Sequence, residues 1–590
     1  MRTYLHTIVL ILIGGWALVR VVSSGNFERE LVTTSDARGY YAYLPAVFIY
    51  SDPLFSGFEQ LPEDAQEKYW VKETDSGAWI PKVTMGVAIC MLPGFVVGHL
   101  IALMGGSAQD GWSSVYQLAI AVNGIAFLLL GIWFLQKWIQ RYYPKRIAAL
   151  TVLLLFFSTN LLFYGTILNA MSHNYSFSLF AMLLYVCDTW TDAPKAKYLI
   201  AAALTAGLMI LIRPINVLLA MVPVVIAVHR LMRHDAWSQV RNWRAVLSMS
   251  VVFAPTLLQM IYWKLSTGNW IYYSYQQESF YFSNPHVVEG LFSFRNGWLV
   301  YTPCMILSLI GFPGLWKVHR MMVVIGIPVL LAYIYVVFSW WCWYYGDSLS
   351  IRAMIDIYPL LSLPMASIIS IGLSRKSTGV VLVNLLVLLI TNNVIQDRQY
   401  FRGELSGSNM TKEAFELLFF NPNPPSPDEL QMIGAYDAPD KESLLRGLDE
   451  RTARDTIVER QLASSGQNIF ILNDRNIYSP ALKVSARDFN TNEDRSLRIT
   501  ARIRSEDFSA SDFLFVVSFD INGENIEYHA LDIHKLKLNN NEWQSFSVFL
   551  DKPDDFPDQG EMSTYFWCRG KGEMSISEMK VEQINGPYLE

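Results

Sequence analysis

Twelve apolar stretches follow one another between Tyr4 and Ile395, many of them about 18 residues or longer. At 1.5 Å of rise per residue, a helix of that length crosses a hydrocarbon core of roughly 30 Å. The stretches lie at 4–22, 83–104, 114–137, 147–168, 174–190, 198–212, 215–230, 245–265, 298–316, 321–339, 352–372 and 378–395. Across the 590 residues, 52% are hydrophobic and only 17% charged, and mean hydropathy is positive. The expected fold class is therefore a polytopic α-helical membrane protein, with residues 1–395 as its membrane part. The first stretch could pass for a cleaved leader. It is long, however, and Arg20 stands where small residues would precede a cut, so it is expected to remain as an anchor.

Charge divides the chain. Up to Ile395 there are 25 Lys and Arg against 18 Asp and Glu, and beyond it 21 against 34. An acidic tail repels phosphate backbones, so no nucleic-acid partner is expected. The five cysteines, Cys90, Cys187, Cys304, Cys342 and Cys568, show neither metal spacing nor a framework of pairs.

Basic residues orient the helices. "QKWIQRYYPKR", "DAPKAK", "HRLMRHDAWSQVRNWR", "WKVHR" and "SRKST" occupy alternate loops, and the positive-inside rule makes these five cytoplasmic. The intervening loops then face outward, and the last helix delivers the tail to the same side. With the N-terminus inside, this phase leaves no crossing for 83–104, which carries Pro93-Gly94 at its centre. A bent helix in the outer leaflet is expected there. The count becomes 11 crossings, with residues 23–112 as one large external loop.

The unusual polar residues then gather outside: Asp36, Arg38, Lys82, His173, Arg213, Glu278, Arg295, Asp347, Arg352 and Asp356. Charges near membrane depth cost several kcal/mol unless paired or solvated, which makes them functional candidates. Plainer roles stay open for each. Asp36 could pair with Arg38, Lys82 could snorkel to headgroups, His173 could start a helix in a wet loop, and Arg352 with Asp356 has the i,i+4 spacing of a helical ion pair. The aromatic run before Asp347 suits an interfacial belt. No phosphate-cradling glycine loop occurs in its required context, which disfavours nucleotide chemistry inside.

"SDARGYYAYLP", "PKVTMGVAICMLPGF", "NAMSHNYSF", "LIRPIN" and "WYYGDSLSIRAMIDIYPLL" together resemble the GT-C superfamily of membrane glycosyltransferases over residues 1–395. The branch most resembled is that of protein mannosyltransferases and lipopolysaccharide core transferases, in a Bacteroidetes-type form. The resemblance implies a sugar moved from a polyprenyl-phosphate-linked donor to a cell-envelope acceptor (glycan, lipid or protein) outside a bacterial inner membrane. It makes Asp36 the general base and Lys82 and Arg352 the holders of the leaving phosphate, with Arg213 and Arg295 as additions. Arg38, Tyr40, Tyr41, His173 and Asp347 become substrate-binding residues. Relatives often carry two adjacent acids where this chain has Asp36-Ala37, so no metal ligand set is assigned and no cofactor is named; a divalent cation stays open.

After Ile395, residues 396–465 read as a linker holding an amphipathic piece, "KEAFELLFF", and a charged helix, "DKESLLRGLDERTARDTIVERQL". Residues 466–590 show seven short alternating stretches, the period of strands, which predicts an all-β sandwich of jelly-roll type. This part resembles carbohydrate-binding modules through "YFWCRGKGEMSISEMKVEQ". Trp543, Tyr565 and Trp567 could face a sugar, though core positions suit such residues as well. Two other functions compete with transfer. A transporter or flippase for a lipid-linked glycan would call for an internal repeat and charges lining both leaflets. A mere anchor for the β domain would not need eleven crossings.

Overall fold

The computed structural model describes the chain except residues 1–3, 62–65, 67, 75, 234–242, 276–277, 408–409, 411, 424–452, 462–469, 474–476, 489–495, 509–512, 522–523, 537, 552–558, 570–571 and 585–590. It divides into two units, Met1–Ser408 and Asn409–Glu590.

The first unit is almost wholly helical. Among the described residues, eight helices are long and apolar enough to cross a membrane: Leu5–Ser24, Gly86–Gly105, Ser114–Ile139, Asn216–Arg233, Trp243–Thr267, Arg320–Phe338, Arg352–Gly372 and Lys376–Phe401. Two shorter apolar helices, Ala196–Ile212 and Met305–Val318, accompany them. Ser172–Asp192 is as long but carries a run of buried polar residues at its start. Arg352–Gly372 is buried over most of its length, whereas Leu5–Ser24 and Lys376–Phe401 keep most of theirs exposed. The former is the central helix and the latter two lie at the periphery. These two are joined by one ion pair, Arg20 Nη2 to Asp397 Oδ2 at 2.6 Å.

Two stretches expected as straight spans are broken. Residues 147–168 give a helix at Lys145–Phe157 that stops at Ser158, followed by one turn at Leu161–Tyr164. Ser158 and Thr159 turn their hydroxyls back on the carbonyls of Leu154 and Leu155, the local bonding that competes with helix propagation. Residues 298–316 divide into Trp298–Tyr301 and Met305–Val318 around Pro303, which has no N–H to give.

The 83–104 stretch forms one continuous helix, with Pro93 inside it rather than ending it. It packs antiparallel on the first part of Ser114–Ile139. A Cβ on Gly94 would meet Asn123 Cβ at 2.6 Å, and one on Gly98 would meet Ala119 Cβ at 3.0 Å. Elsewhere, Gly311 lets the Met305–Val318 helix touch the central one, since a Cβ there would fall 1.9 Å from the Pro364 carbonyl oxygen.

The second unit holds two antiparallel sheets. One orders its strands as Leu482–Ser485, Gly560–Cys568, Phe513–Ile521, Glu524–Asp532. The other orders Ala453–Gln461, Met574–Ile584, Ser496–Ser505, Gln544–Asp551, with Phe470–Leu472 also paired to Met574–Ile584. All seven expected strands are present. Leu497, Ile499, Ala501 and Ile503 point inward while Arg502 and Arg504 point out, the period of two that a half-buried strand requires. One hydrophobic cluster draws on both sheets, with Phe515 and Phe566 of the first against Phe546 of the second.

The tail departs from expectation at "ARDTIVERQ". It forms a strand, Ala453–Gln461, rather than part of a charged helix. Thr456, Ile457 and Val458 are β-branched in succession, and Met574–Ile584 offers them a ladder. The preceding residues 440–452 lie outside the described chain. The amphipathic piece is helical at Lys412–Leu418 and buries Ala414, Phe415 and Leu418.

Candidate functional site

The site is built where helices end. Asp36 opens the short helix Asp36–Tyr41, entered through Ser35 at φ 49°. Arg352 opens the 3-10 turn Arg352–Ile357, entered through Tyr345, Asp347 and Ser350, all with φ between 50° and 57°. Positive φ on residues other than glycine costs about 1–3 kcal/mol each and persists only where the surroundings enforce it. Here they enforce a single contact between residues 316 apart: Arg352 Nη2 donates to Asp36 Oδ2 at 3.0 Å. The Asp36 side chain is 27% exposed and that of Arg352 17%.

Asp36 therefore takes Arg352 as its ion-pair partner, in place of its neighbour Arg38, which lies half-buried on the same short helix. Arg352 and Asp356 do not pair with each other as the i,i+4 spacing allows. A 3-10 turn has about three residues per turn, which swings Asp356 to another side. Asp356 is fully buried and meets His173 Nδ1 at 3.0 Å and Arg213 Nε at 3.7 Å. Tyr333 Oη donates to it at 3.4 Å. Arg213 also reaches the His173 ring, with Nη1 2.9 Å from Nδ1.

Tyr40 is buried beside Ser172, within electrostatic reach of Asp36, Arg213 and Arg352. Burial, with Asp36 adding to it, pushes its hydroxyl up to about 12, so it is a neutral donor at neutral pH. Tyr41 turns away: its hydroxyl donates to the Gly111 carbonyl and its ring lies against Trp112 and Phe95.

Lys82 follows the strand Trp79–Pro81, is buried, and pairs with Glu278. Its ammonium lies 5.2 Å from the ring centroids of both Trp70 and Tyr275. Tyr275 is within electrostatic reach of Tyr40, Arg213 and Asp36, which joins the Lys82 box to the rest of the site. Arg295 stacks on Tyr344 at 3.7 Å, in the segment leading to Arg352. Asp347 meets Tyr400 Oη at 3.4 Å. Among the described residues, no three His, Cys, Asp or Glu side chains converge as a metal-ligand group.

Tyr275, Trp70, Ser172 and Tyr333 join the site without having been singled out in the sequence, and Glu278, noted there only as one of the outward charges, proves to be the partner of Lys82. Of the four, only Tyr333 carried a usable signal, as a phenol in the middle of an apolar helix. Two arginines now face one set of carboxylates and tyrosines, an arrangement suited to holding a phosphate beside a proton acceptor.

A second polar cluster lies at the far ends of the same helices, about 22 Å from His173 along Ser172–Asp192. Asp188 receives Arg141 Nε at 2.9 Å, Tyr142 Oη at 2.6 Å and Arg230 Nη1. Arg230 also reaches Thr191 Oγ1 at 2.9 Å, and Arg141 also pairs with Asp192. The expectation that polar groups gather at one end alone is thus corrected. Asp188, Arg141 and Arg230 look ordinary in sequence because each sits at a helix end among other charges.

The outward aromatics of the second unit also resolve. Tyr565 and Trp567 lie on the face of their strand opposite the core residues Phe566 and Cys568. Tyr478, half-exposed, stacks on Trp567 with ring centroids 5.7 Å apart. Trp543 is partly buried under Arg502, 5.8 Å from its ring.

No family model and no curated protein matches the chain. Among solved structures it is similar to the oligosaccharyltransferase of Archaeoglobus fulgidus in complex with Zn and sulfate, at 12% identity and TM-score 0.38, over 69% of this chain and 54% of that one. It is similar to the oligosaccharyltransferase AglB of the same organism, in complex with an inhibitory peptide and a dolichol-phosphate, at 11% identity and TM-score 0.38, over 70% and 57%. It is also similar to the arabinosyltransferase EmbB of Mycobacterium smegmatis, at 9% identity and TM-score 0.35, over 99% and 65%. The chain spans less than two thirds of the length of each.

Proposed function

We propose that this chain is a multi-pass membrane glycosyltransferase of GT-C type, taking a sugar from a polyprenyl-phosphate-linked donor and passing it to a cell-envelope acceptor on the outer side of a bacterial inner membrane. The observation that carries the reading is the partly exposed Asp36 carboxylate set beside Arg352, with Arg213 and Lys82 in the same cluster. The acceptor hydroxyl or amide attacks the anomeric carbon, and Asp36 takes its proton. The bond from that carbon to the phosphate oxygen breaks, and the electron pair leaves with the phosphate. Arg352, Arg213, Lys82 and Arg295 hold that developing charge. Tyr40, as a neutral hydroxyl within electrostatic reach of both arginines, donates to donor or phosphate. Arg38, His173 and Asp347 complete the wall, while Tyr41 supports it from behind.

In this reading the Gly86–Gly105 helix stays at the outer side. The second unit is a β-sandwich outside the cytoplasm, and Tyr478 stacked on Trp567, with Tyr565 edge-on beside them, offers an acceptor glycan an aromatic patch. A flippase is the second reading, favoured by polar clusters at both helix ends. It ranks lower because the far cluster is closed on itself.

The test is transfer in membranes containing Asp36→Asn. Envelope glycan is lost if Asp36 is the base, and normal glycosylation with the variant rejects that role. Cysteine labelling at Ser35 from outside intact spheroplasts checks the topology: labelling is expected, and protection of the thiol rejects the outward loop.

A further inference from the structure

Three cation–carboxylate pairs make up the site, and they differ in how replaceable the carboxylate is. Asp356 is fully buried and shared by Arg213, His173 and Tyr333, so no incoming anion can exchange with it. Glu278 is held to Lys82 inside the Trp70 and Tyr275 box, and the loop around it is pinned by Ser274 Oγ donating to the Lys82 carbonyl. Asp36 is the most exposed of the three counterions, at 27% against 22% for Glu278 and 0% for Asp356, and is tied to Arg352 through one carboxylate oxygen without an enclosing aromatic box. The other terminal nitrogen of Arg352 makes only a long contact, 3.4 Å, to the Gly346 carbonyl.

With no substrate bound, Oδ2 of the proposed general base is taken up by an N–H of the residue proposed to bind the leaving phosphate. A guanidinium has five N–H groups in a planar fork that fits phosphate through two parallel bonds, which one carboxylate oxygen does not match.

We infer that Asp36 and Arg352 form a substrate-released lock: the donor phosphate takes Arg352 away from Asp36, and only then is Asp36 free to accept a proton. The inference rests on the transferase reading above and deepens it. It orders the reaction, with the lipid-phosphate donor binding before the acceptor. It also accounts for the strained backbone at both partners, since Ser35, Tyr345, Asp347 and Ser350 aim two distant segments at one contact. Competition follows, because donor phosphate and Asp36 are rivals for one guanidinium.

The rivalry gives a counter-intuitive result to look for. In full-length protein in nanodiscs, Asp36→Asn abolishes transfer yet binds a long-chain polyprenyl monophosphate more tightly than the native protein, by about tenfold. Asp36→Ala repeats the gain, which guards against a folding artefact of either variant. The gain vanishes in the Arg352→Gln background, where the rivals have nothing to compete for. Native-like or weaker binding by both Asp36 variants overturns the lock, as does an equal gain with Arg352→Gln present. Inorganic phosphate is expected to bind on the order of a hundredfold more weakly than the lipid form, since it buries no chain. Failure of the native protein to bind polyprenyl phosphate at all, or equal binding of the two probes, overturns the transferase reading instead.

Discussion

The two ends of the helix bundle carry the same residue types and put them to different use. At the far end, Asp188 is 6% exposed and accepts from two arginines and a tyrosine, and Arg141 adds Asp192 as a second carboxylate. At the Asp36 end, the carboxylate nearest solvent, Asp36, is 27% exposed and joined to its cation by a single 3.0 Å bond. Bonds per carboxylate and carboxylate exposure, rather than the presence of charge, separate a structural clasp from a place where a substrate can enter.

The difference can be broken by substitution. Asp36→Asn should lower transfer by about 10²–10⁴-fold, the usual worth of a positioned base, with thermal melting in detergent unchanged. Asp188→Ala should do the reverse. It strands two arginines and costs about 2–3 kcal/mol of stability, less than a fully buried pair because both arginines are about a quarter exposed. Transfer per folded molecule should persist, and a selective loss of transfer would erase the distinction between the ends. Lys82→Gln should raise the apparent donor KM about tenfold, or about 1.4 kcal/mol, and should cost about 1–2 kcal/mol of stability because Glu278 loses its counter-charge. Arg141→Gln should be mildest, under about 1 kcal/mol in melting, because Asp188 keeps Arg230 and Tyr142. A larger drop would mean the clasp is less redundant than its bonds imply.

Much of this frame was legible from residue order. Each of the twelve apolar stretches contributes helix, because periodicity and length are local properties. Alternation likewise marked Ser496–Ser505 and Met574–Ile584 as strands. Misreadings arose where a local preference met a distant partner. Thr456, Ile457 and Val458 had been absorbed into a charged helix until the Met574–Ile584 edge claimed them. Helix breaks at Ser158 and Pro303 lay hidden inside runs that hydropathy averages smooth over.

The site was legible as a set of residues and not as a set of pairs. Asp36, Lys82, Arg213 and Arg352 stood out because charge is rare in their surroundings. Spacing then proposed Arg38 for Asp36 and Asp356 for Arg352. The partners proved to be remote instead, at sequence separations of 316 for Asp36 with Arg352 and 183 for Asp356 with His173. Contacts of that order are decided by packing, for which neither propensity nor period carries information.

The bond between Arg20 and Asp397 has a consequence in time. Arg20 enters the membrane with the first helix, while its partner lies 377 residues later on the last. At synthesis rates of about 5–20 residues per second, the arginine waits roughly 20–75 s for its counter-charge. Through that interval a newborn chain carries an unanswered cation at the edge of its first helix. The pair therefore closes only when the last helix is in place, which ties the start of the bundle to its end.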